Sequence, residues 1–264
     1  MPELPEVETF VRHLQPIVGA RIDEAEILDP RLSVSAASLR GAVIRSIARR
    51  AKYIVMTLAE RGDLAIHLRM SGRLRLDRAE GEAAYTRMIL HLDSGDAVYF
   101  VNPRRLGTVV LHDEGFDTTF GIDPTCSTFT PRELAEIAST SRSPIKQFLL
   151  DQRKISGIGN IYAAEALWRA GIDPTRPARA LGDEEIARLH AGITSVLRDA
   201  INQLGTTLGT SVSDYRPTTA QTGEFQNHLS VYGRENEACE RCSTPIVRMI
   251  QAGRSTYHCP ACQT

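Results

Sequence analysis

Hydrophobic positions in the first half of the chain follow one helix and then a series of short strands. Val7, Phe10 and Leu14 recur at helical spacing within residues 5–18, and Pro5 suits the first turn of a helix. The later segments are β-branched or alternate between apolar and polar side chains, and turn residues separate them. These segments are residues 40–58, 64–76, 86–92 and 97–111. The pattern predicts an antiparallel β-sandwich that carries an N-terminal helix.

The apolar period changes near residue 131. From there, apolar side chains recur at i, i+3 and i+4 behind Thr, Ser or Asp caps, which predicts helices. A stretch rich in Gly, Thr and Ser, residues 205–224, is too long for a routine connection. We therefore expect an α+β multidomain chain. Its predicted parts are a helix and β-sandwich domain at 1–125, a helical domain at 131–225 and a small C-terminal domain at 228–264.

Charge is balanced over the whole chain but not along it. The 264 residues hold 31 basic and 32 acidic side chains, which gives a net charge of −1. Between Arg31 and Ala59, however, six basic side chains occur without an acidic one. Only three basic residues of the chain are lysines, and the planar guanidinium of Arg suits phosphate and guanine. The basic segment is therefore either a solvated face or a nucleic-acid contact.

Cysteine spacing predicts a metal site near the C-terminus. Cys239 and Cys242 form one CxxC pair, and Cys259 and Cys262 form a second after sixteen residues. Two such pairs fit a four-thiolate zinc ribbon, and the lack of a signal-peptide pattern argues against the alternative, disulfides. A site closed by four cysteines holds a structural rather than a catalytic ion. The fifth cysteine, Cys126, is expected to be a small buried hydrophobic residue.

Residues 144–167 combine two helical patterns joined through Ser156-Gly157-Ile158-Gly159-Asn160. Glycines at a helix N-terminus let backbone N–H groups approach a phosphate closely, and the helix dipole favours the anion. Such glycines also serve as ordinary helix C-caps, so this segment alone is compatible with either a phosphate contact or a helix cap.

Taken together, the motifs resemble the formamidopyrimidine-DNA glycosylase family over essentially the whole chain. The opening PELPEVE is typical of its oxidised-purine branch, whereas the endonuclease VIII branch more often begins PEGPE. The resemblance implies a β-sandwich with an N-terminal helix, then a helix-two-turn-helix domain with a zinc ribbon, and DNA between them. The motifs are MPELPEVE, ArgArgAlaLysTyr at 49–53, HisLeuArgMetSerGly at 67–72, AsnProArgArgLeuGly at 102–107, GlyIleGlyAsnIleTyrAlaAlaGlu at 157–165, ValTyrGlyArg at 231–234 and the cysteine pairs.

The same resemblance implies the catalytic residues. Removal of Met1 would make the nitrogen of Pro2 an α-amino group, which titrates near pH ~8 and is partly neutral at pH 7. That amine is the implied nucleophile, Glu3 the acid that protonates the opening sugar, and Glu6 a supporting residue. Lys52 and Arg254 match the phosphate-gripping residues that assist elimination. From the residues alone, Pro2 and Pro5 would merely stiffen a helix start, Lys52 would be a solvated strand residue and Arg254 a surface cation at a hairpin tip.

DNA contacts follow from the resemblance as well. Met70, Arg104 and Leu106 match residues that fill the space left by an extruded nucleotide, with Arg104 facing the orphaned cytosine, although core packing is the alternative for Met70. Leu106 stands where the family usually has Phe, so weaker lesion interrogation is expected. Asn160 matches a phosphate contact. Tyr85 and Arg142 stand where the family has a His and a Lys-rich stretch, and residues 209–225 align with a loop that caps the lesion.

The sequence therefore predicts a bifunctional DNA glycosylase/AP lyase that excises oxidised purines, 8-oxoguanine and formamidopyrimidines, from duplex DNA. An N-terminal proline Schiff base and β,δ-elimination are implied, with one structural Zn2+. We expect a cytoplasmic monomer, associated with the nucleoid in a bacterium, with double-stranded DNA as its partner and no membrane. The alternatives are an endonuclease VIII-like enzyme for oxidised pyrimidines, a noncatalytic DNA-binding module and a zinc-ribbon adaptor for other proteins.

Overall fold

The computed structural model describes residues 2–76, 82–116, 119–207 and 223–264. It divides into two compact units, Met1–Thr118 with Gln203–Gln226 and Thr119–Asn202 with Asn227–Thr264. The first unit is therefore built from two separate stretches of the chain. Most of the predicted capping loop, its residues 209–222, lies outside the described residues.

The first unit is a β-sandwich with an N-terminal helix. Its two four-stranded antiparallel sheets have the orders β1-β6-β7-β5 and β2-β3-β4-β8, and both contribute to one hydrophobic core. The helices are α1 (Leu4–Leu14) and α2 (Ala36–Leu39). The strands are β1 (Ile22–Ile27), β2 (Ile44–Arg50), β3 (Tyr53–Leu58), β4 (Gly62–His67), β5 (Arg73–Arg75), β6 (Thr86–Leu92), β7 (Ala97–Val101) and β8 (Thr108–His112). The predicted sandwich and helix are confirmed.

Local sequence accounts for these elements. Alternate residues of β6 are buried, as the period of two requires for a strand with one face on a core. The apolar stripe of α1, including Val7 and Phe10, is buried, and the helix packs against β2 and β3. The helix ends at Leu14, and a short 3₁₀ turn at Gln15–Ile17 occupies the rest of the predicted helical stretch.

The second unit contains four helices and a hairpin among its described residues. The helices are α3 (Pro131–Ser139), α4 (Ile145–Leu150), α5 (Asn160–Ala170) and α6 (Asp183–Asn202), and the hairpin strands are β9 (Val247–Gln251) and β10 (Arg254–His258). Helix α5 packs against α6 and β10. A cluster that includes Ala164, Trp168 and Cys259 joins α5 to the cysteine-containing segment.

The expectation for Cys126 is wrong, because this side chain is exposed. Cys126 lies in a turn, where its amide donates to the Asp123 carbonyl at 3.1 Å and its own carbonyl accepts from Phe129 at 3.1 Å. Backbone hydrogen bonds hold this turn, and the Cys126 thiol lies at its surface. As for a bilayer, none of the helices formed by the described residues has the length and apolarity needed to cross one.

Candidate active site and nucleic-acid interface

The first two side chains of the described chain are buried at the start of α1. Pro2 and Glu3 are both buried, and the Glu6 side chain, 1% exposed, lies one turn along the helix. Glu6 Oε2 accepts a hydrogen bond from the Glu3 amide at 2.7 Å, and Oε1 accepts one from the Thr206 amide at 2.8 Å. A carboxylate near a helix N-terminus is favoured by the helix dipole. Glu6 therefore fixes the backbone that follows Pro2.

Contacts along α1 give the direction of the helix on the sheet. Gln15 Nε2 donates to the Ile47 carbonyl at 3.0 Å, whereas Glu8 Oε2 lies 3.2 Å from Arg49 Nε. Residues nearer the N-terminus of α1 thus contact residues nearer the C-terminal end of β2. The N-terminal end of α1 consequently faces the end of β2 where Lys52 follows.

Lys52 lies in a two-residue turn between β2 and β3. Arg50 and Tyr53, on either side of this turn, pair with each other, and Ala51 has a left-handed φ of 53°. The Lys52 residue is only 6% exposed. Lys52 is thus a buried turn residue and not a solvated strand residue.

Three of the predicted site residues lie at the same end of the sheet β2-β3-β4-β8. His67 pairs with Tyr53 on one side and with Thr108 on the other. Because neighbouring strands are antiparallel, the start of β3, the end of β4 and the start of β8 lie side by side. The adjoining turns place Lys52, Met70 and Leu106 at this end.

The turns at this end expose apolar side chains beside a cation. Met70 is 41% exposed and Leu106 is 54% exposed, and Arg104 is also exposed. Core packing of Met70 is therefore excluded. Side chains of this kind, when they insert between bases, act as wedges that unstack a duplex.

Tyr85 lies beside the turn that contains Arg104. It ends a 3₁₀ helix at Ala83–Tyr85, is half-buried, and its carbonyl accepts the Asn102 amide at 2.8 Å. The predicted Tyr85 contact therefore belongs to the same part of the first unit as Arg104.

His67 belongs to this region although sequence analysis gave it no role. Burial, followed by the positive charges of Arg69 and Lys52, lowers its pKa to about 3. Its Nδ1 accepts the Arg69 amide at 3.0 Å, which places the proton of the neutral ring on Nε2. Arg69 itself has a left-handed φ of 55°. His67 therefore holds the turn that presents Met70. In the sequence, the only indication of this residue was its place in the motif at 67–72.

In the second unit, the turn between α4 and α5 is built around Gln152. Its amide nitrogen donates to the carbonyls of Leu150 at 3.0 Å and Ile158 at 2.9 Å, and its oxygen accepts the Gly157 amide at 2.9 Å. Asn160 is the first residue of α5. Sequence analysis missed Gln152 because no periodic or spacing signal marks a residue that caps a turn internally.

Asn160 is tied to the strand that begins with Arg254. Asn160 Nδ2 donates to the Ser255 carbonyl at 2.9 Å, and the buried Lys146 Nζ donates to the same oxygen at 2.9 Å and to Thr256 Oγ1 at 2.7 Å. An amide nitrogen carries two hydrogens, so this bond occupies only one of them. Asn160 and the exposed Arg254 are thus close together in the second unit.

Arg142 is exposed in the loop before α4. The neighbouring Ser141 is buried, and its hydroxyl accepts from Lys154 Nζ at 2.8 Å. The loop is therefore anchored next to an outward-facing guanidinium, as a phosphate contact requires.

Two of the quoted motifs meet at Glu165, which sequence analysis also missed. Its carboxylate is buried and accepts amide hydrogens from Ser230 at 2.9 Å, Val231 at 3.0 Å and Tyr232 at 2.8 Å. Burial raises the pKa of Glu165, while the three amides oppose that shift. The carboxylate joins α5 to the segment that leads into the cysteine pairs.

The four cysteines of the CxxC pairs form one cluster. Their sulfur atoms all lie within 4.8 Å of one another, with Cys239 Sγ 3.9 Å from Cys262 Sγ and Cys242 Sγ 3.4 Å from Cys259 Sγ. A tetrahedral site with Zn–S distances of about 2.3 Å separates its sulfurs by about 3.8 Å. The residues therefore fit one structural Zn2+, as the spacing predicted.

Family models match these elements in chain order. The formamidopyrimidine-DNA glycosylase N-terminal domain matches residues 1–109, the formamidopyrimidine-DNA glycosylase H2TH domain matches 120–212, and the zinc finger found in FPG and IleRS matches 236–264. The chain belongs to the formamidopyrimidine-DNA glycosylase family. The formamidopyrimidine-DNA glycosylase of Chloroflexus aggregans is 44% identical over 276 residues, covering 100% of this chain and 98% of the relative.

Solved structures of this glycosylase family share the whole fold. The MutM (Fpg) protein of Thermus thermophilus is 38% identical, with a TM-score of 0.88 over 99% of this chain and 98% of that one. A Lactococcus lactis Fpg variant in complex with DNA containing Fapy-dG is 33% identical, with a TM-score of 0.88 over 100% of both chains. The predicted family and fold are confirmed.

Proposed function

We propose that this protein is a bifunctional DNA glycosylase/AP lyase that excises oxidised purines from duplex DNA and then nicks the strand by β,δ-elimination. The observation that supports it best is the grouping of Lys52, Met70 and Leu106 at one end of a sheet toward which α1 directs the N-terminus. The buried side chains of Glu3 and Glu6 lie at the start of that helix. Relatives of this family have been solved with lesion-containing DNA.

The proposed reaction begins with the nitrogen of Pro2 after removal of Met1. The neutral amine bonds to C1′ of the damaged nucleotide, the bond from C1′ to the base breaks, and its electron pair leaves with the base. The amine nitrogen then loses its proton to the departing base, and its lone pair opens the C1′–O4′ bond to give an iminium while Glu3 delivers a proton to O4′. Loss of a C2′ proton expels the 3′ phosphate, and a second elimination expels the 5′ phosphate.

Other residues position the strand. Lys52, Asn160 and Arg254 would contact phosphates near the lesion, and Arg254 would supply a proton in the second elimination. Glu6 holds the backbone next to the nucleophile. Arg142 and Tyr85 would make further DNA contacts.

Extrusion of the damaged nucleotide costs a few kcal/mol of stacking and pairing. Met70 and Leu106 would fill the resulting space, and Arg104 would face the base left behind. The zinc ion would act only in holding the ribbon. One copy of the chain contains every residue used in this scheme, so we propose a monomer as the active form.

Borohydride trapping tests the proposal. The Met1-processed protein, with Pro2→Gly and Glu3→Gln beside it, is mixed with a duplex that has one 8-oxoguanine opposite cytosine. Reduction of the iminium leaves a covalent adduct on the wild type, and mass spectrometry should place it on residue 2. Glu8→Gln is the matched control. Glu8 lies on the same helix and its carboxylate pairs with Arg12 and Arg49, so this variant should still form the adduct.

The outcomes separate the alternatives. An adduct on 5-hydroxyuracil but not on 8-oxoguanine would replace the substrate class with oxidised pyrimidines. An adduct at a lysine instead of residue 2 would remove the proline mechanism. Binding without an adduct on any lesion or on an abasic site would leave a noncatalytic DNA-binding module.

A further inference from the structure

A buried carboxylate outside the proposed reaction site lies beneath the turn that contains Arg104. Asp29 follows β1 and is 2% exposed. Its Oδ2 lies 2.9 Å from Arg31 Nη2 and 3.2 Å from Arg105 Nε, and its Oδ1 accepts from Arg31 Nε at 3.1 Å. Arg31 is two residues away along the chain, whereas Arg105 is 76 residues away. The bond to Arg105 therefore links two distant segments of the first unit.

The backbone below this ion pair is also fixed. The amides of Leu28 and Asp29 donate to the Arg87 carbonyl at 2.9 Å and 3.2 Å. Arg87 Nε donates in turn to the Asn102 carbonyl at 3.2 Å. The Asp29 backbone is thus bonded to β6, so its carboxylate can serve as an anchor for the turn.

Arg105 needs such a fixed point because its backbone is disfavoured. Its φ is +54°, in the left-handed region that residues with a Cβ rarely adopt. The Arg105 amide donates to the Asn102 carbonyl at 3.1 Å, which closes the turn. With its side chain directed to Asp29, its neighbours Arg104 and Leu106 are left exposed.

The charges around Asp29 are consistent with this role. Hydrogen bonding from Arg31 is the largest cause that lowers the pKa of Asp29 to about 2, and the charge of Arg105 adds to it. The carboxylate is therefore ionised whenever the protein works near neutral pH. The pair with Arg31 is local and ties no second segment to Asp29, whereas the bond to Arg105, a side chain that is 44% exposed, joins the end of β1 to the turn at 102–107.

We propose that Asp29 is a positioning residue that, through Arg105, holds the turn in the conformation that presents Arg104 and Leu106 to the base opposite the lesion. The proposal rests on the proposed function for the identity of the ligand, duplex DNA with an extruded nucleotide. The held turn itself is a property of the free protein and can be measured without DNA.

The first experiment follows amide hydrogen exchange of residues 102–107 in the free protein. Asp29→Asn removes the charge with little change of shape, and Arg105→Gln removes the partner while leaving the pair of Asp29 and Arg31. We expect both variants to exchange about tenfold faster in this segment, as local opening predicts. Asp93→Asn, an exposed carboxylate that accepts the Arg21 amide, is the matched control and should leave the segment unchanged.

The second experiment measures single-turnover excision of 8-oxoguanine and cleavage of a preformed abasic site, each opposite cytosine or adenine. Misplacement of the turn should slow excision about 10- to 100-fold and reduce the preference for cytosine, while cleavage of the abasic duplex stays within about twofold. Because Asp29 and Arg105 act on the turn through one bond, the double variant Asp29→Asn with Arg105→Gln should be no worse than the more impaired single variant.

The two claims fail separately. Unchanged exchange in both single variants would overturn the role of Asp29 whatever the catalytic data show. Faster exchange with unchanged excision and unchanged base preference would overturn the link to the opposite base. A wild-type protein without activity on any lesion would overturn the proposed function, and the exchange result would still decide whether Asp29 holds the turn. If Asp29→Asn does not fold, Arg105→Gln alone decides both points.

Discussion

Gly205 lies against the carboxylate of Glu6, so alanine at this position would test how firmly that carboxylate is held. A Cβ at residue 205 would lie 2.8 Å from Glu6 Oε1 and 2.9 Å from its Cγ. The far end of a glutamate could usually move away. Here the carboxylate is fixed by the amides of Glu3 at 2.7 Å and Thr206 at 2.8 Å, so movement would lengthen these two bonds.

Two separate costs follow from the Gly205→Ala change. The φ of +82° disfavours any residue with a Cβ, by about 1–2 kcal/mol. Overpacking of a well-filled interior adds about 1–3 kcal/mol. Gly95 has a similar φ of +90° but nothing within 4 Å of its added Cβ, so Gly95→Ala carries only the first cost. We therefore expect Gly205→Ala to lower the free energy of unfolding by about 1–3 kcal/mol more than Gly95→Ala.

Urea denaturation followed by circular dichroism measures this difference, and both glycines belong to the same compact unit. In thermal unfolding, each kcal/mol corresponds to a fall in Tm of about 2–4 °C for a chain near this size. Equal destabilisation by the two substitutions would refute the reasoning, because it would mean that Glu6 shifts without cost. The Glu3 amide would then not be held by a rigid carboxylate.

Three further predictions concern the metal, the wedge and the acid response. Cys259→Ser should lower zinc content and change the fluorescence of Trp168, because both residues belong to the cluster that joins the ribbon to α5. Leu106→Phe should tighten binding to a duplex with a tetrahydrofuran site about 5- to 150-fold, since stacking on a base is worth ~1–3 kcal/mol. His67 has a folded pKa of about 3, below its unfolded value of about 6.5. The unfolded chain therefore binds a proton at His67 before the folded protein does, and the free energy of unfolding falls as the pH drops from ~6.5 toward 3, by up to about 1.4 kcal/mol per pH unit. His67→Gln should remove this pH dependence in urea titrations.

Matched controls exist for each of these. Cys126→Ser changes an exposed thiol outside the cluster and should retain the metal, and zinc bound equally by both serine variants would contradict the four-cysteine site. Leu28→Phe places the same ring at another exposed leucine, so equal tightening would indicate nonspecific stacking. His91→Gln alters a half-buried histidine that pairs with Glu26, and a slope that survives in His67→Gln would assign the acid response to other groups.

Those parts of the fold that depend on local pattern could be predicted from the sequence. The helical stripe of Val7 and Phe10, the alternation in β6 and the spacing of the cysteine pairs are short-range signals, and each predicted element is present. The strand β1 was not predicted, because its polar residues give no regular alternation; in the structure its pairing with β6 is interrupted by a register shift between Ile22 and Glu24.

Residues whose function depends on distant partners could not be predicted in this way. In the sequence, Asp29 resembles any turn residue, and its role becomes visible only when the structure places Arg105 beside it. Gln152 likewise resembles a surface amide, and only the folded turn shows its bond to the Gly157 amide. His67 stood in a quoted motif, but its neutral state follows from burial and from two nearby cations. Sequence spacing gives neither burial nor the charges contributed by other strands.

The two-part construction of the first unit also sets an order of events during synthesis. Thr206, which supplies one of the two amides to the buried Glu6 carboxylate, is 200 residues further along the chain. At a translation rate of about 5–20 residues per second, this partner leaves the ribosome roughly 10–40 s after Glu6. During that interval the nascent N-terminus has a carboxylate whose second amide does not yet exist. The end of the chain that bears the proposed nucleophile is therefore among the last parts of this unit to reach its final structure, after most of the second unit has been made.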